Sequence, residues 1–379
     1  MAGTSVVVVT LKPEPYLGRC LASVAAQAAE VIVVDNGSGT PRAAQIAAEH
    51  GARVVSLSEN AGFARGVNEG VRAARHEHVA LLNDDAFAEP GWLPGSEAAL
   101  RDPTVGAVVP KLLFAWRRGV VRLDDPVGFH GTDWRPYGRR VDAITVGPHD
   151  VTHDALPLGV KHEDGAGFWT HAASTVVFPL PDNLDEEVRV DGRPVELEAT
   201  FDMVNNAGQY LHAGGWCGDI GYAARDDGSF DAPADRFGAC GAALVTRRET
   251  WERVGGLAEE FFAYYEDTDW SWRLQAAGLG VRYEPSLVVR HVHAHTSQEG
   301  SQWWNFFVAR NRVLCFARNA PARVVARILG NLPPLPDGVA RSLTARVPQA
   351  LVARRRGHAD RVHSPEAVWT RWAGVNAPR

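Results

Sequence analysis

Cysteine is scarce in this chain: four residues in 379, standing apart at Cys20, Cys217, Cys240 and Cys315 with no Cys-x-x-Cys pair. That spacing argues against a disulfide framework or a structural zinc site and predicts a reducing, cytoplasmic setting. Long apolar runs are missing too. The first, over residues 6–9, is closed by Lys12-Pro13-Glu14-Pro15, too short for a signal-peptide core. No run approaches the roughly 18 apolar residues needed to cross a bilayer, so any membrane contact is expected to be peripheral, at the inner face. Nor is there a basic stripe interleaved with aromatics. The net charge is −6 and the densest basic cluster is the short Arg354-Arg355-Arg356, which argues against a nucleic-acid partner. A Gly-x-Gly-x-x-Gly turn after the first strand is absent, because Thr10-Leu11-Lys12-Pro13-Glu14-Pro15 stands there, and proline has no N–H to offer a pyrophosphate. A Walker-type loop is absent as well.

What is present is ordinary globular material, 45% hydrophobic and 22% charged, enough for one large or two modest cores. β-Branched runs over 6–9, 31–34, 54–55 and 79–82 alternate with helical patterns over 16–28, 41–50 and 64–75. Thr40-Pro41 reads as a cap followed by proline at the first helical position. Such alternation predicts an α/β fold: a mostly parallel sheet flanked by crossover helices. From 115 to about 200 helical periodicity vanishes, and Asp191-Gly192 between short apolar runs signals a hairpin, predicting a β-rich insertion. Strand and helix patterns resume over 241–247, 249–254 and 268–277, and a proline-punctuated helical extension follows residue 321. The expected division is therefore 1–114, 115–200, 201–320 and 321–379.

In open parallel sheets, ligands bind beyond the carboxyl ends of the strands. Here those ends are Thr10, then Asp35-Asn36-Gly37-Ser38-Gly39, then Asn60-Ala61-Gly62-Phe63-Ala64-Arg65-Gly66, then Asn83-Asp84-Asp85. Adjacent acids at a strand end repel and call for a compensating cation or hydrogen-bond donors; oxygen ligands of this kind suit Mg²⁺ or Mn²⁺ held with substrate phosphates. Further on, Tyr264-Tyr265-Glu266-Asp267-Thr268-Asp269-Trp270-Ser271-Trp272-Arg273 packs three carboxylates among aromatics at the start of a helix. A wall holding both fits a ligand with polar groups and apolar faces, such as a sugar; it also fits a helix start whose acids answer the dipole while the rings fill core.

In order along the chain, Val33-Val34-Asp35-Asn36-Gly37-Ser38, the run from Asn60 to Asn68, Leu81-Leu82-Asn83-Asp84-Asp85 and the segment from Phe261 to Arg273 resemble the signatures of family-2 glycosyltransferases of the GT-A fold, the rhamnosyltransferase-like members in particular. The resemblance covers roughly residues 5–110 and 205–318. It implies a nucleotide-sugar donor of the dTDP-rhamnose or UDP-hexose type, with Asp35 on the pyrimidine base and Thr10 lining the same pocket. Asn60, Gly62, Phe63, Arg65, Gly66 and Asn68 would shape the donor site, and Asn83 and Asp84 would contact ribose or support the metal ligand. It further implies Asp85 on Mn²⁺ or Mg²⁺, a histidine after a late strand, and Asp267 as general base of an inverting transfer. His291 is favoured for that histidine ahead of His293, in a run that continues to His295. Helical spacing puts Glu266, Asp269 and Arg273 on one side and Asp267, Ser271 and Leu274 on another, so Asp269 can pair with Arg273 while Glu266 serves the acceptor.

The rings and arginines of Trp303-Trp304-Asn305-Phe306-Phe307 and Arg310-Asn311-Arg312 are expected as core and as partners of acids or phosphate. The acceptor stays open among a glycan, a lipid-linked precursor and a small molecule, and the insertion could shape its pocket or mediate a homodimer. The competing reading is a non-catalytic sugar- or nucleotide-binding protein that retains the fold.

Overall fold

The computed structural model describes residues 2–123, 140–152, 156–158, 162–164, 167–169, 174–181, 187–293, 300–356 and 361–374. They form two compact units: Met1–Leu113 with Val204–Ala223 and Asp227–Arg379, and Phe114–Met203 with Ala224–Asp226.

The first unit is built on a ten-stranded mixed sheet. Its parallel part holds β1 (Thr4–Thr10), β2 (Glu30–Asn36), β3 (Arg53–Leu57) and β4 (His78–Asn83) in the order β4-β1-β2-β3. Every residue of β1 is buried, as the valine run requires of a strand with neighbours on both edges and helices on its faces. Each fully buried valine contributes roughly 1.5–3 kcal/mol of apolar transfer. Beyond β4 the sheet continues through Ala243–Arg247, antiparallel to both β4 and β6 (Val105–Phe114), and from β6 to Gly280–His291, which pairs antiparallel with Ala234–Arg236 and, at its end, with β5 (Ala86–Ala88).

The crossover helices are α1 (Leu17–Val24), α2 (Arg42–Glu49) and α3 (Phe63–Ala73), followed by α4 (Trp92–Ala99) and α5 (Arg248–Val254). Pro41 stands one position before the helix rather than inside it, in the N-cap place. α3 lies close on β1: a Cβ on Gly66 would meet Val9 at 2.7 Å and one on Gly70 would meet Val7 at 2.2 Å, so both glycines are set by helix–strand approach. α6 (Glu266–Ala276) and α7 (Gln302–Asn319) complete the body, with Ser301 accepting from Trp304 N at 3.2 Å to cap α7. α8 (Ala322–Gly330), α9 (Val339–Arg356) and α10 (Pro365–Trp372) pack onto the same core through Val324, Ile328, Leu343, Val368 and Trp369. Among the described residues no helix is long and apolar enough to cross a membrane.

The second unit is all β. Arg117–Leu123 pairs with Ser174–Leu180 and Ala199–Phe201, and Ile144–Val146 pairs with Val188–Val190. Val121, Ile144, Val176, Phe178 and Val190 fill its core. The Asp191-Gly192 turn joins Val188–Val190 to Arg193–Pro194, both turn residues having positive φ (50° and 76°). The run over 195–197, read as apolar, carries no strand.

Candidate active site

The parallel register fixes the rim. Thr10 stands opposite Asp35 and Val9 opposite Asn83, so the polar ends of β1, β2 and β4 come together at one edge. The loop after β2 is held by its own amides: Ser38 N donates to Asp35 Oδ1 at 2.9 Å, Asn36 Nδ2 to Asn60 Oδ1 at 3.2 Å, and Ala61 N to Asn36 Oδ1 at 3.0 Å. Asn60 Oδ1 also accepts from Gly62 N at 3.0 Å, which sets the entry to α3. Gly62 has φ 87°, and a Cβ there would strike Phe262 at 2.7 Å; Ala64 N donates to Phe262 O at 3.2 Å. The Asn60–Gly66 motif is thus docked against the segment preceding the acidic cluster. Arg65, half exposed at the first turn of α3, lies 3.9 Å from Glu69.

Asn68 is a structural tie: its Nδ2 donates to Leu257 O at 2.8 Å and Glu259 Oε1 at 3.0 Å, and its Oδ1 accepts from Leu257 N at 2.9 Å, so its amide joins α3 to the loop over 257–259. Gly66 likewise acts through close packing on β1.

At the end of β4 the acids are under electrostatic load. Asp84 and Asp85 are both buried, and burial together with the neighbouring Asp85 charge pushes the Asp84 carboxyl up to about 7. Asn83 Oδ1 is shut off from solvent without a hydrogen-bond partner, and the Thr10 hydroxyl bears on the Asp84 carboxyl, opposing part of its rise. Asp85 Oδ1 stands 3.1 Å from His291 Nε2, His291 Nδ1 is 3.0 Å from Asn205 Oδ1, and Asn83 Nδ2 is 3.3 Å from His291 Nε2. Val292 N donates to Asp85 O at 3.0 Å and thereby sets the strand end bearing the histidine beside the acid. His293 is next out: its ring lies 5.6 Å from that of His291, and its Nε2 is 3.3 Å from Tyr222 Oη. His295 lies outside the described residues. No group of three or more His, Cys, Asp or Glu forms a metal cage among the described residues. A carboxylate paired with an imidazole, beside the buried oxygens of Asn83 and Asp84, nevertheless fits an open divalent-cation site completed by substrate phosphate and water.

Asp267 sits in the first turn of α6, half-buried, with its orientation fixed. Oδ2 accepts from Gly241 N at 3.0 Å and Gln209 Nε2 at 3.2 Å, and Oδ1 accepts from Thr268 N at 2.6 Å. Burial raises its pKa, and those neutral donors only partly oppose the rise. Glu266 beside it is buried with Oε2 unpartnered, and burial and the Asp267 charge push it far above the carboxylate range. Gly241 and Ala242 join the two acid sites: Gly241 N reaches Asp267, and Ala242 O accepts from Asn83 N at 2.9 Å. A Cβ on Gly241 would touch both Phe63 (3.4 Å) and Asp267 (3.6 Å), so the Asn60–Gly66 motif borders the same place.

The approach to α6 is strained. Phe262, Tyr264 and Tyr265 all have left-handed backbones, at φ 68°, 67° and 69°. Asn311 over-determines that path by donating Nδ2 to Phe261 O (2.9 Å), Ala263 O (2.7 Å) and Tyr264 O (2.8 Å). Arg310 adds bonds to Glu260 O and Phe261 O, and Arg312 reaches Gly215 O. The arginines expected on acids or phosphate therefore bind main-chain carbonyls. Of the rings read as core, Phe306 packs against the core, whereas Phe307 stacks on Phe262 at 5.3 Å and Trp303, 42% exposed, lies 5.8 Å from Tyr264.

Sequence reasoning did not find Gln209, Asn205, Gly241 or Tyr222. Gln209 starts a hairpin, Gln209–His212 with Trp216–Asp219, on which Trp216 stacks against His212 at 4.5 Å and meets Tyr210 edge-on at 5.4 Å. These residues carry no local spacing signal, since each works through contacts distant in sequence.

Residues 5–131 match the model of glycosyl transferase family 2. The N-acetylglucosaminyl-diphospho-decaprenol L-rhamnosyltransferase of Mycobacterium tuberculosis is 26% identical over 313 residues, 77% of this chain and 76% of that protein. The pre-mycofactocin glycosyltransferase of the same organism is 24% identical over 69% of this chain and 37% of its own length. Among solved structures, that of GalNAc-T7 with UDP, GalNAc and Mn²⁺ aligns over 98% of this chain and 56% of its own, with TM-score 0.54 and 12% identity.

Proposed function

We propose, from the premise that this chain is a family-2 glycosyltransferase with a GT-A-type sheet, that it transfers a sugar with inversion from a pyrimidine nucleoside diphosphate donor to an acceptor hydroxyl. The observation that carries the reading is the juncture at Gly241-Ala242, where a strand end bearing two buried acids meets an oriented carboxylate. Asp35 and Thr10 hold the base end of the donor, with dTDP-rhamnose favoured over a UDP-hexose. Asn83 and Asp84 face the ribose and the diphosphate, and Asp85 with His291 holds a divalent ion, Mn²⁺ or Mg²⁺. When bound, that ion neutralises charge developing on the leaving diphosphate.

Asp267 takes the proton from the acceptor hydroxyl as that oxygen attacks the anomeric carbon. Its raised pKa makes it a stronger base than an exposed carboxylate, and its three donors keep it aimed. Glu266, whose carboxyl burial pushes up, contacts the acceptor from beside Asp267. Trp216 and Tyr222 offer exposed rings for the acceptor's apolar face. A lipid-linked acceptor is supported by the likeness to the 26%-identical N-acetylglucosaminyl-diphospho-decaprenol L-rhamnosyltransferase.

A panel of dTDP- and UDP-sugars, assayed for nucleoside diphosphate release with Mn²⁺, with Mg²⁺ and with EDTA, tests the reading. Metal-dependent release that rises with acceptor supports it. Donor binding without turnover across the panel would instead identify a non-catalytic sugar-nucleotide-binding protein.

A further inference from the structure

A cavity of about 660 Å³ opens on the side of α6 away from Asp267, lined by Arg273, Arg318, Asn319, Arg354 and Arg361 with the apolar side chains of Pro348, Val352 and Ala353. Four guanidinium groups on one cavity need anions. Asp269 is one, fully buried, and its oxygens are already taken by Arg273 Nε (2.9 Å), Arg318 Nε (2.8 Å) and Asn319 Nδ2 (2.7 Å). Glu260 is the other, paired with Arg318. Arg273 is largely engaged, since its remaining nitrogens donate to the carbonyls of Val254, Gly255 and Gly256.

Arg354 and Arg361 are different. Among the described residues, Arg354 Nη1 donates to Ala320 O, and Arg361 Nη1 is sealed from solvent with no hydrogen-bond partner. Among the described residues, four cations meet two carboxylates at this wall. Burial lowers the proton affinity of both; for Arg361 the repulsion of Arg354 and Arg318 adds to this and the Asp269 charge opposes it.

We propose that this cavity binds a phosphate-bearing organic anion, at a site separate from the donor rim. Guanidinium forks match phosphate oxygens in pairs, the volume exceeds what a bare phosphate fills, and Pro348, Val352 and Ala353 give an organic body an apolar surface. Its inner wall, Arg273 and Arg318, is the pair that holds Asp269, two residues from Asp267 on the same helix.

The test uses the full chain in EDTA, so that no divalent ion recruits phosphate to the donor rim. Glycerol 3-phosphate and inorganic pyrophosphate are titrated by calorimetry, and vesicles containing phosphatidic acid are tested by co-sedimentation; the soluble and vesicle arms separate a free phosphate ester from a lipid headgroup. At least one probe should bind saturably, roughly tenfold or more weaker in both Arg361→Gln and Arg354→Gln, and unchanged in Asp35→Ala. Melting of each variant without probe establishes that it is folded, and Arg354→Gln stands alone should Arg361→Gln not fold. Absence of binding at millimolar probe, wild-type binding in the folded arginine variants, or loss in Asp35→Ala alone would each overturn the proposal.

Discussion

The two sides of α6 are built on opposite electrostatic terms. On one side Asp269 is fully buried; burial pushes its pKa up, but Arg318 and Arg273, with Asn319, more than cancel that and hold it below the usual carboxylate range. On the other side, two residues earlier, Asp267 receives only neutral donors, from Gly241, Thr268 and Gln209, and burial leaves it above that range. The helix and its dipole are common to both, so the partners decide. A carboxylate bonded to two guanidinium groups is a fixture of the fold; one oriented by amides and a threonine keeps the basicity that proton abstraction needs.

The sharpest way to break this comparison is to neutralise each acid in turn. Asp267→Asn should lower turnover by about 10²–10⁴-fold while leaving nucleotide binding and the melting temperature close to the parent, checked by product release and by calorimetry with the nucleoside diphosphate. In the parent, the acid limb of the kcat/KM profile should lie above the ordinary carboxylate range, because the ionised form of a raised acid is the active one. A normal rate in Asp267→Asn would move the base elsewhere, Glu266 first.

Asp269→Asn should do the reverse. It leaves Arg273 and Arg318 without their shared counter-charge, at a cost of about 3–5 kcal/mol in urea unfolding. The sign with pH follows from the depressed folded pKa: Asp269 stabilises fully above the unfolded carboxylate pKa, and the stabilisation is lost as pH falls through the folded value. The variant's stability should therefore vary less than the parent's on the acid side, and equal slopes would contradict the assignment.

A third substitution separates positioning from chemistry. Asn311 touches no proposed reactant, yet it holds the three left-handed residues that lead into Glu266 and Asp267. Asn311→Ala should cost roughly 1–3 kcal/mol of stability and lower kcat about tenfold with little change in donor KM, since the strained path relaxes and takes Asp267 out of line. A fall in stability with kcat unaltered would show the strain to be structural only.

How much of this was legible beforehand follows from the range of the interactions. The strand ends, the Asn83-Asp84-Asp85 acids and the Asp269–Arg273 pair could be read because periodicity and i,i+4 spacing are local. Asn68 could not be assigned from its motif, because its amide bonds lie 189 residues away at Leu257. Gln209 and Asn205 were invisible for the same reason: only the folded hairpin brings Gln209 to Asp267, and only the end of the Gly280–His291 strand brings His291 to Asn205. The part of the sheet beyond β4 was equally hidden, since its strands are neighbours in the sheet but not in the sequence.

The smallest expected effect belongs to the hairpin. Trp216 is 38% exposed and braced by His212 and Tyr210, so its position is fixed whether or not a ligand is present. If it is an acceptor platform, Trp216→Ala removes one stacking face worth about 1 kcal/mol, raising acceptor KM several-fold with kcat and donor KM nearly constant. Because the ring covers little core, stability should change by less than about 1 kcal/mol. An equal rise in donor KM would shift the hairpin to the donor side of Asp267, and the divide between the two sides of the site would have to be redrawn along Gln209.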